Sequence, residues 1–304
     1  MDLYADPPGT RIEKALHFSA ALGGSAANIA VAIIKLGGAA SLVTAVSDDA
    51  VGRYTVNQLR RYGVGTEHVR AASGEARNSL AVVETRNENC QSVIYRNDAA
   101  DFHIGSNDVQ NIAYTDFGAL IITGTCLAVD PSRTTSFLAI ELARKAGLPV
   151  ILDIDYRPYS WASAEDAADT CSRAAALSDI VIGNDVEFAV MAGSGDGLAL
   201  ARKLSNSTAE ITVYKMGEKG SVTFGGGQSS TCGVFPVTAL KPTGAGDAFM
   251  GGFVTGLALG LDLAACARRG SAAAAIVVTR PGCAPAMPTA SELETFIAGH
   301  PGPV

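Results

Sequence analysis

The sequence predicts an α/β protein built around a mostly parallel sheet, and three observations support that class. Short runs rich in Val and Ile alternate with helix-like runs, which is how successive βαβ units read. The strand-like runs are continuously apolar, as suits strands covered on both faces. Gly and Ala dominate the chain from about residue 244 onward, so the helices there should lie very close to their neighbours.

The elements follow in chain order. Residues 3–22 are extended and polar, with a Pro-Pro-Gly turn. Ser25 to Leu36 reads as a helix, "SLVTAV" (41–46) as a strand and Val51 to Tyr62 as a second helix. "LAVVETRNENCQSVIYRND" (80–98) reads as two strands around the polar turn "RNEN"; with 3–22 it is expected to form a small accessory sheet. Four further strands are expected at "GALIITG" (118–124), "PVILDID" (149–155), "DIVIG" (179–183) and "EITVYKM" (210–216), with a helix from Ser132 to Ala146. "GSGDG" (193–197) reads as a loop, and "GAGDAFMGGFVTGLALG" and "LAACARRGSAAAAIVVT" read as helices. No internal repeat or linker breaks the chain, so residues 1–304 are expected to form one domain, with a small lid from about 3–22 and 80–98.

Composition narrows the function. Of 304 residues, 48% are hydrophobic and 17% charged, which supports a large core and argues against disorder. The net charge is −7 and no basic run occurs, so nucleic acid and anionic membrane are poor partners. Six cysteines, at 90, 126, 171, 232, 266 and 283, contain no CxxC pair and read as small buried residues in a reducing compartment. Four scattered histidines (17, 68, 103, 300) offer no metal-ligand spacing. "MDLYADPPGTRIEK" lacks the basic start and apolar stretch of a signal peptide, and no clean apolar run approaches about 18 residues. A soluble cytoplasmic protein is expected.

Four stretches carry chemistry. In "KPTGAGDAFMGGF" (241–253), Gly244, Ala245 and Gly246 lead into Asp247 at a helix start. The first N–H groups of a helix have no internal partner and sit at the positive end of its dipole, so bare backbone there makes an anion hole suited to phosphate. A carboxylate beside an anion site is unfavourable unless it has work to do. Asp247 there can accept the proton of an attacking hydroxyl. The plain structural alternative is a Gly-rich turn with Asp247 as a helix cap. In "LGGSAANIAVAIIKLGG" (22–38), Gly23 and Gly24 permit close ligand approach and Asn28 offers both a donor and an acceptor to a polyol; the alternative is a tight strand-to-helix turn. "NDVE" (184–187) follows a strand end, where open α/β sheets bind ligands. Asn184 and Glu187 there suit hydrated Mg2+ or phosphate, or else a helix cap with a first-turn acid. "YKMGEKGSVTF" (214–224) ends a strand at Lys215 and turns through Gly-x-x-Gly, a shape that lines nucleotide phosphates and is also common in hairpins. No Walker A segment and no early GxGxxG fingerprint occur, so any phosphate cradle is of another kind.

Taken in order, these motifs resemble the ribokinase-like (PfkB) family of carbohydrate kinases over nearly the whole chain. "GGSAAN" resembles the family's sugar-binding GG-x-x-x-N segment and "PTGAGDAFMGGF" its GAGD signature; "NDVE", "KMGEKG" and "AAAAIVVTRPG" accompany them. "DLY", "IYRNDAADFHI", "ILDIDYRPYSW", "FPVTALKPTGAGD" and "CAPAMPT" further resemble the family's 5-dehydro-2-deoxygluconate kinases, and the related 2-keto-3-deoxygluconate kinases share a similar Tyr-Arg. The resemblance implies a three-layer α/β/α fold with a mostly parallel central sheet and a small β lid. It implies ATP and Mg2+ as cofactors, a sugar acid as substrate and a homodimer through the lids. Asp247 would be the catalytic base, with Gly244, Ala245 and Gly246 stabilising the transferred phosphoryl group. Asn184, Lys215, Gly217, Gly220 and Thr243 would contact ATP, with Glu187 and Asn184 near Mg2+ through water. Asp2, Gly23, Gly24 and Asn28 would hold the sugar, and Arg96 and Arg157 would meet the substrate carboxylate, because Arg offers a bidentate fork. Other sugar kinases of the family, acting on fructose or ribose, and a sugar-binding relative without turnover are the alternatives. Two departures stand out. The family's first strand normally precedes the sugar-gripping Asp, whereas Asp2 here stands in that place with no strand ahead of it. Many relatives also carry Asp where Lys241 stands and bind a monovalent cation nearby, so the Lys241 ammonium is expected to replace that ion.

Overall fold

The computed structural model describes residues 1–193 and 195–303. Ser194, inside the expected 193–197 loop, lies outside the described residues. The chain forms two compact units, one from residues 1–101 with 234 onward, the other from residues 102–233.

The first unit opens with β1 (Asp2–Asp6), β2 (His17–Ala21), α1 (Ser25–Lys35), β3 (Thr44–Val46), α2 (Ala50–Tyr62), β4 (Val69–Ala71), β5 (Leu80–Val83) and β6 (Ser92–Tyr95). Four strands form a sheet in the order β2-β1-β5-β6, so the segments around 3–22 and 80–98 do share one sheet. Asp2 is the first residue of β1 rather than a residue following a strand. Register divides this sheet into two faces. Phe18 opposes Ala5, Leu3 opposes Val82, Val82 opposes Val93, and Leu80 opposes Tyr95, so one face collects these apolar side chains. Phe18, Val93 and Tyr95 on that face are 40%, 45% and 60% exposed. The other face carries Tyr4, Ala21 and Val83, which are buried against Cys283.

The expected strand 41–46 is shorter than its apolar run suggests. Only Thr44–Val46 forms a strand, pairing in parallel with β4 in a separate two-stranded sheet, while Ser41 makes an isolated bridge to Gly65. Strand β4 was not foreseen, because three residues of "HVRAA" carry too little pattern to show period-two alternation.

The second unit contains α3 (Ser106–Gln110), β7 (Leu120–Thr123), α4 (Ser132–Lys145), β8 (Val150–Asp153), α5 (Ala164–Ala175), β9 (Ile180–Asn184), α6 (Asp185–Met191), α7 (Gly197–Ser205), β10 (Ile211–Lys215), β11 (Ser221–Gly225) and β12 (Gln228–Cys232). Its six-stranded sheet has the order β12-β11-β10-β9-β8-β7. Strands β7 to β10 are parallel, and β11 and β12 add an antiparallel edge. Val150 to Asp153 and Ile180 to Gly183 are buried throughout, which is why these strands read as unbroken apolar runs.

The chain then returns to the first unit with α8 (Ala245–Ala258), α9 (Leu263–Val278) and α10 (Ala290–Gly299). Most helices carry ordinary caps. Asp49 accepts from Val51 N and Gly52 N, Ser163 from Asp166 N, and Asp196 from Ala199 N. Helices α1 and α8 differ: each begins at a positive-φ glycine, Gly24 or Gly244, with no side-chain cap. Their first-turn N–H groups therefore lack the usual intramolecular acceptor.

Small residues let α8 lie against two helices at once. A Cβ on Gly251 would stand 2.4 Å from Ala32 Cβ of α1, and one on Gly252 would stand 2.8 Å from Arg269 O of α9. The apolar core of this unit gathers around the same contact, with Ala32, Ala248, Ala272 and Ile276 buried together. Gly251→Ala is therefore expected to overpack the α1–α8 contact and cost about 1–3 kcal/mol. Thermal unfolding followed by circular dichroism should show a melting temperature several degrees below the parent; an unchanged or higher value would contradict the close-packing account.

Candidate active site

In the first unit the site grows from the start of α8. Gly244 takes φ +84 at the N-cap, and a Cβ there would lie 3.0 Å from Cys283 Sγ and 3.2 Å from Val277 Cγ1. Only glycine satisfies both the left-handed backbone and the tight approach. Ala245 and Gly246 fill the first helical positions, and Asp247 follows in the first turn. Asp247 does not cap its own helix. Its carboxylate reaches across to α1, accepting from Ser25 Oγ (3.2 Å) and Asn28 Nδ2 (2.8 Å). The plain capping alternative for Asp247 is thereby removed, and the two glycine-led helix starts are joined through one acid.

Around this acid the sugar-segment residues converge. Asn28 is buried, and its Oδ1 has no hydrogen-bond partner. Thr243 Oγ1 is buried and unpartnered as well. Orphaned buried polar atoms are rare in folded proteins, and each is an atom that a ligand hydroxyl or phosphate can satisfy. Gly23 has a more specific reason to be glycine than ligand approach: its Cβ would fall 1.9 Å from Asp2 Oδ1. Asp2 is buried there, accepts from Tyr4 OH at 2.9 Å, and has its proton affinity raised by that burial.

Lys241 is fully buried beneath this loop. Its Nζ donates to Thr243 O and to Val277 O, the latter at 3.4 Å near the end of α9. Leu240 N and Lys241 N both bond Val278 O, so the segment is tied to the end of α9 twice over. Burial lowers the Lys241 pKa from the ordinary lysine value, while Cys283 and Asp247 act in the opposite direction. The Cys283 thiol is itself pushed up to about 11, chiefly by burial.

Arg96 lies just beyond β6 and is not the solvated edge charge that its position suggests. Its side chain is 16% exposed, and its Nε and Nη2 donate to Asp101 Oδ2 at 2.9 and 2.6 Å. Asp101 also accepts from Ser79 Oγ, so the guanidinium is held in a fixed orientation.

In the second unit the candidate residues gather at the carboxyl ends of β8, β9 and β10. Lys215 and Asn184 are register partners on adjacent parallel strands, and Lys215 Nζ stands 3.8 Å from Asp153 Oδ1. This edge is where open α/β sheets bind ligands. Asn184 and Glu187 form a capping box: Asn184 Oδ1 accepts from Glu187 N at 2.9 Å, and Glu187 Oε2 from Asn184 N at 2.6 Å. Glu187 Oε1 accepts from Tyr156 N as well, at 3.3 Å. Burial raises the Glu187 pKa, opposed by the charge of Lys215. Gly217 (φ +57) opens the turn after β10 with free space where a Cβ would stand. Gly220 is glycine for packing, since its Cβ would fall 2.1 Å from Cys232 O. Arg157 Nη2 pairs with Asp155 Oδ1 at 2.8 Å, and Asp155 is buried at φ +36, an unusual backbone for a residue with a side chain.

Sequence reasoning assigned no role to four partners of these residues: Ser25, Asp101, Asp155 and Cys283. All four lie inside quoted motifs, and an acid two residues from Arg157 is a legible signal; which side chain each of them meets is set by the fold. Among the described residues, no cluster of three His, Cys, Asp or Glu side chains forms a metal cage, and no helix is long and apolar enough to cross a membrane.

The model of the pfkB family of carbohydrate kinases matches residues 1–290. The 5-dehydro-2-deoxygluconokinase of Photobacterium profundum is 39% identical over 98% of this chain and 92% of its own. That of Geobacillus kaustophilus is 35% identical over 99% and 91%. Among solved structures, a putative ribokinase II from E. coli in complex with ATP and Mg2+ superposes with a TM-score of 0.89 at 19% identity, covering 98% of this chain and 96% of that one. A fructokinase with bound ATP from Xylella fastidiosa gives 0.87 at 24% identity, covering 98% and 95%. Likeness of that extent makes the fold ribokinase-like α/β. With its GAGD helix start matched inside a family model that spans nearly all of its length, this chain belongs to the PfkB family of carbohydrate kinases.

Proposed function

We propose that the chain is an ATP-dependent kinase that phosphorylates the 6-hydroxyl of 5-dehydro-2-deoxygluconate. The observation that carries the kinase chemistry is Asp247: a first-turn acid at an uncapped, glycine-led helix start, aimed across to α1 rather than spent on capping. The choice of sugar acid is supported by full-length relatives of that name and by Arg96 and Arg157, each held by a neighbouring aspartate.

The 6-hydroxyl oxygen attacks the γ-phosphorus of ATP as the bond to the bridging oxygen breaks, and ADP leaves. Asp247 takes the hydroxyl proton. The N–H groups of Ala245 and Gly246, with the dipole of α8 behind them, stabilise charge on the transferred phosphoryl group. Asn28 Oδ1 accepts from a sugar hydroxyl, and Asp2, packed against Gly23, is assigned to the sugar as well. Asn184, Lys215, Gly217, Gly220 and Thr243 are assigned to ATP. Mg2+, when bound, neutralises phosphate charge; Glu187 and Asn184 are the residues to hold it, through water, as suits an ion that keeps most of its hydration. The β2-β1-β5-β6 sheet serves as a lid that limits ATP hydrolysis by excluding water. Its exposed apolar face, with Phe18, Val93 and Tyr95, serves as the contact between two copies. Six free cysteines and dependence on ATP fit a cytoplasmic enzyme. The Lys241 ammonium, held by two carbonyls beside the anion-binding turn, takes the place of a monovalent cation.

Coupled ADP release across 5-dehydro-2-deoxygluconate, 2-keto-3-deoxygluconate, fructose and ribose should give the highest kcat/KM with the first. Asp247→Asn should lower kcat by roughly 10²–10⁴-fold while nucleotide binding persists. Comparable turnover of a neutral sugar would overturn the substrate, and an active Asp247→Asn would overturn the base. Activity should be the same in potassium and tetramethylammonium salts; strong potassium activation would exclude the role given to Lys241. Sedimentation of the parent should show a dimer, and Val93→Glu with Tyr95→Glu a monomer; a parent that sediments as a monomer would remove the lid contact.

A further inference from the structure

We infer that Ser25, acting with Asn28, is a positioning residue that keeps Asp247 ionised and aimed; the inference rests on the kinase reading. Ser25 and Asn28 are three residues apart on α1, hence on one face of the helix. Each gives one hydrogen bond to a different oxygen of the same carboxylate. Two donors on two oxygens fix both the rotation and the tilt of that group, which one donor cannot do.

The orientation of the Asn28 amide follows from electrostatics. Turned over, it would set Oδ1 against a carboxylate oxygen, two acceptors in contact. With Nδ2 on Asp247, the orphaned Oδ1 is left for a ligand donor. Asn28 therefore divides its two ends between base and substrate, while Ser25 serves the base. The platform beneath them is rigid, because α1 meets α8 at Ala32 and Gly251 with no room for a Cβ. A shift of α1 would carry both donors away together.

Two other titratable groups face Asp247: the buried Lys241 ammonium, which favours its charged form, and the Cys283 thiol, whose pKa is pushed up to about 11. Hydrogen bonds to the charged form of a carboxylate lower its proton affinity further. Removing one donor raises it, so a larger fraction of Asp247 is protonated at a given acidic pH and cannot accept a proton from the substrate. The acid limb of the rate profile must then move to higher pH.

The test is kcat against pH for the full chain at saturating ATP, Mg2+ and sugar acid. Ser25→Ala should move the acid limb upward by roughly 0.5–1 pH unit and lower the neutral-pH kcat by roughly threefold to tenfold, with the KM for ATP unchanged. Ser25→Thr, which keeps the hydroxyl, should restore the limb. Thermal melts of both variants establish that they are folded. A Ser25→Ala enzyme whose rate falls equally at every pH, or does not fall, overturns the positioning role while leaving the kinase reading intact. Full activity of Asp247→Asn would instead remove the reading on which the inference stands.

Discussion

A carboxylate in the first turn of a helix whose N–H groups have no side-chain cap is the arrangement on which the rest of this molecule depends. Left alone, Asp247 would be well placed to satisfy those donors itself. It is instead drawn toward α1 by Ser25 and Asn28, so the first N–H groups of α8 are left without a side-chain cap. One side chain thus answers to two demands: the helix dipole favours its charge, and the cross-helix donors fix where that charge points.

The arrangement draws on packing some distance from the acid. Glycines at 251 and 252 bring α8 into contact with α1 and α9, so that Ser25 and Asn28 fall within reach of Asp247. The buried Lys241 joins the carbonyl of Thr243 to that of Val277, tying the turn before α8 to the end of α9. A buried ammonium is unfavourable to desolvate, and its lowered pKa records that cost. Its two carbonyl contacts, to Thr243 O and Val277 O, offset part of that cost.

The second unit follows the same logic with different means. Asn184 and Lys215 end adjacent parallel strands in register, and Asp153, which ends β8 opposite Ile182, lies within 3.8 Å of the Lys215 ammonium. Asn184 and Glu187 satisfy two N–H groups at the start of α6 through a capping box. The cap raised from the sequence is present at this position, whereas the Asp247 carboxylate makes its hydrogen bonds to α1. Arg96 and Arg157 show a further parallel, each guanidinium oriented by an aspartate close in sequence.

Much was legible in the chain itself. Continuous Val/Ile runs marked β7 to β10, most clearly β8 and β9, which are buried on both faces, and the GAGD and GGSAAN stretches marked the glycine-led starts of α8 and α1. Those signals are local: they come from backbone conformation, hydrophobic period and bare peptide at a helix end. Strand β4, the shortening of β3, and the reasons for glycine at 23 and 220 were not legible, because each is set by a neighbour distant in sequence. Composition and order of residues determined the fold class, the two helix starts and the acid beside one of them. Only the folded chain decided what that acid touches, since Asp247 and its partners in α1 are separated by more than two hundred residues and meet only when α8 closes on α1.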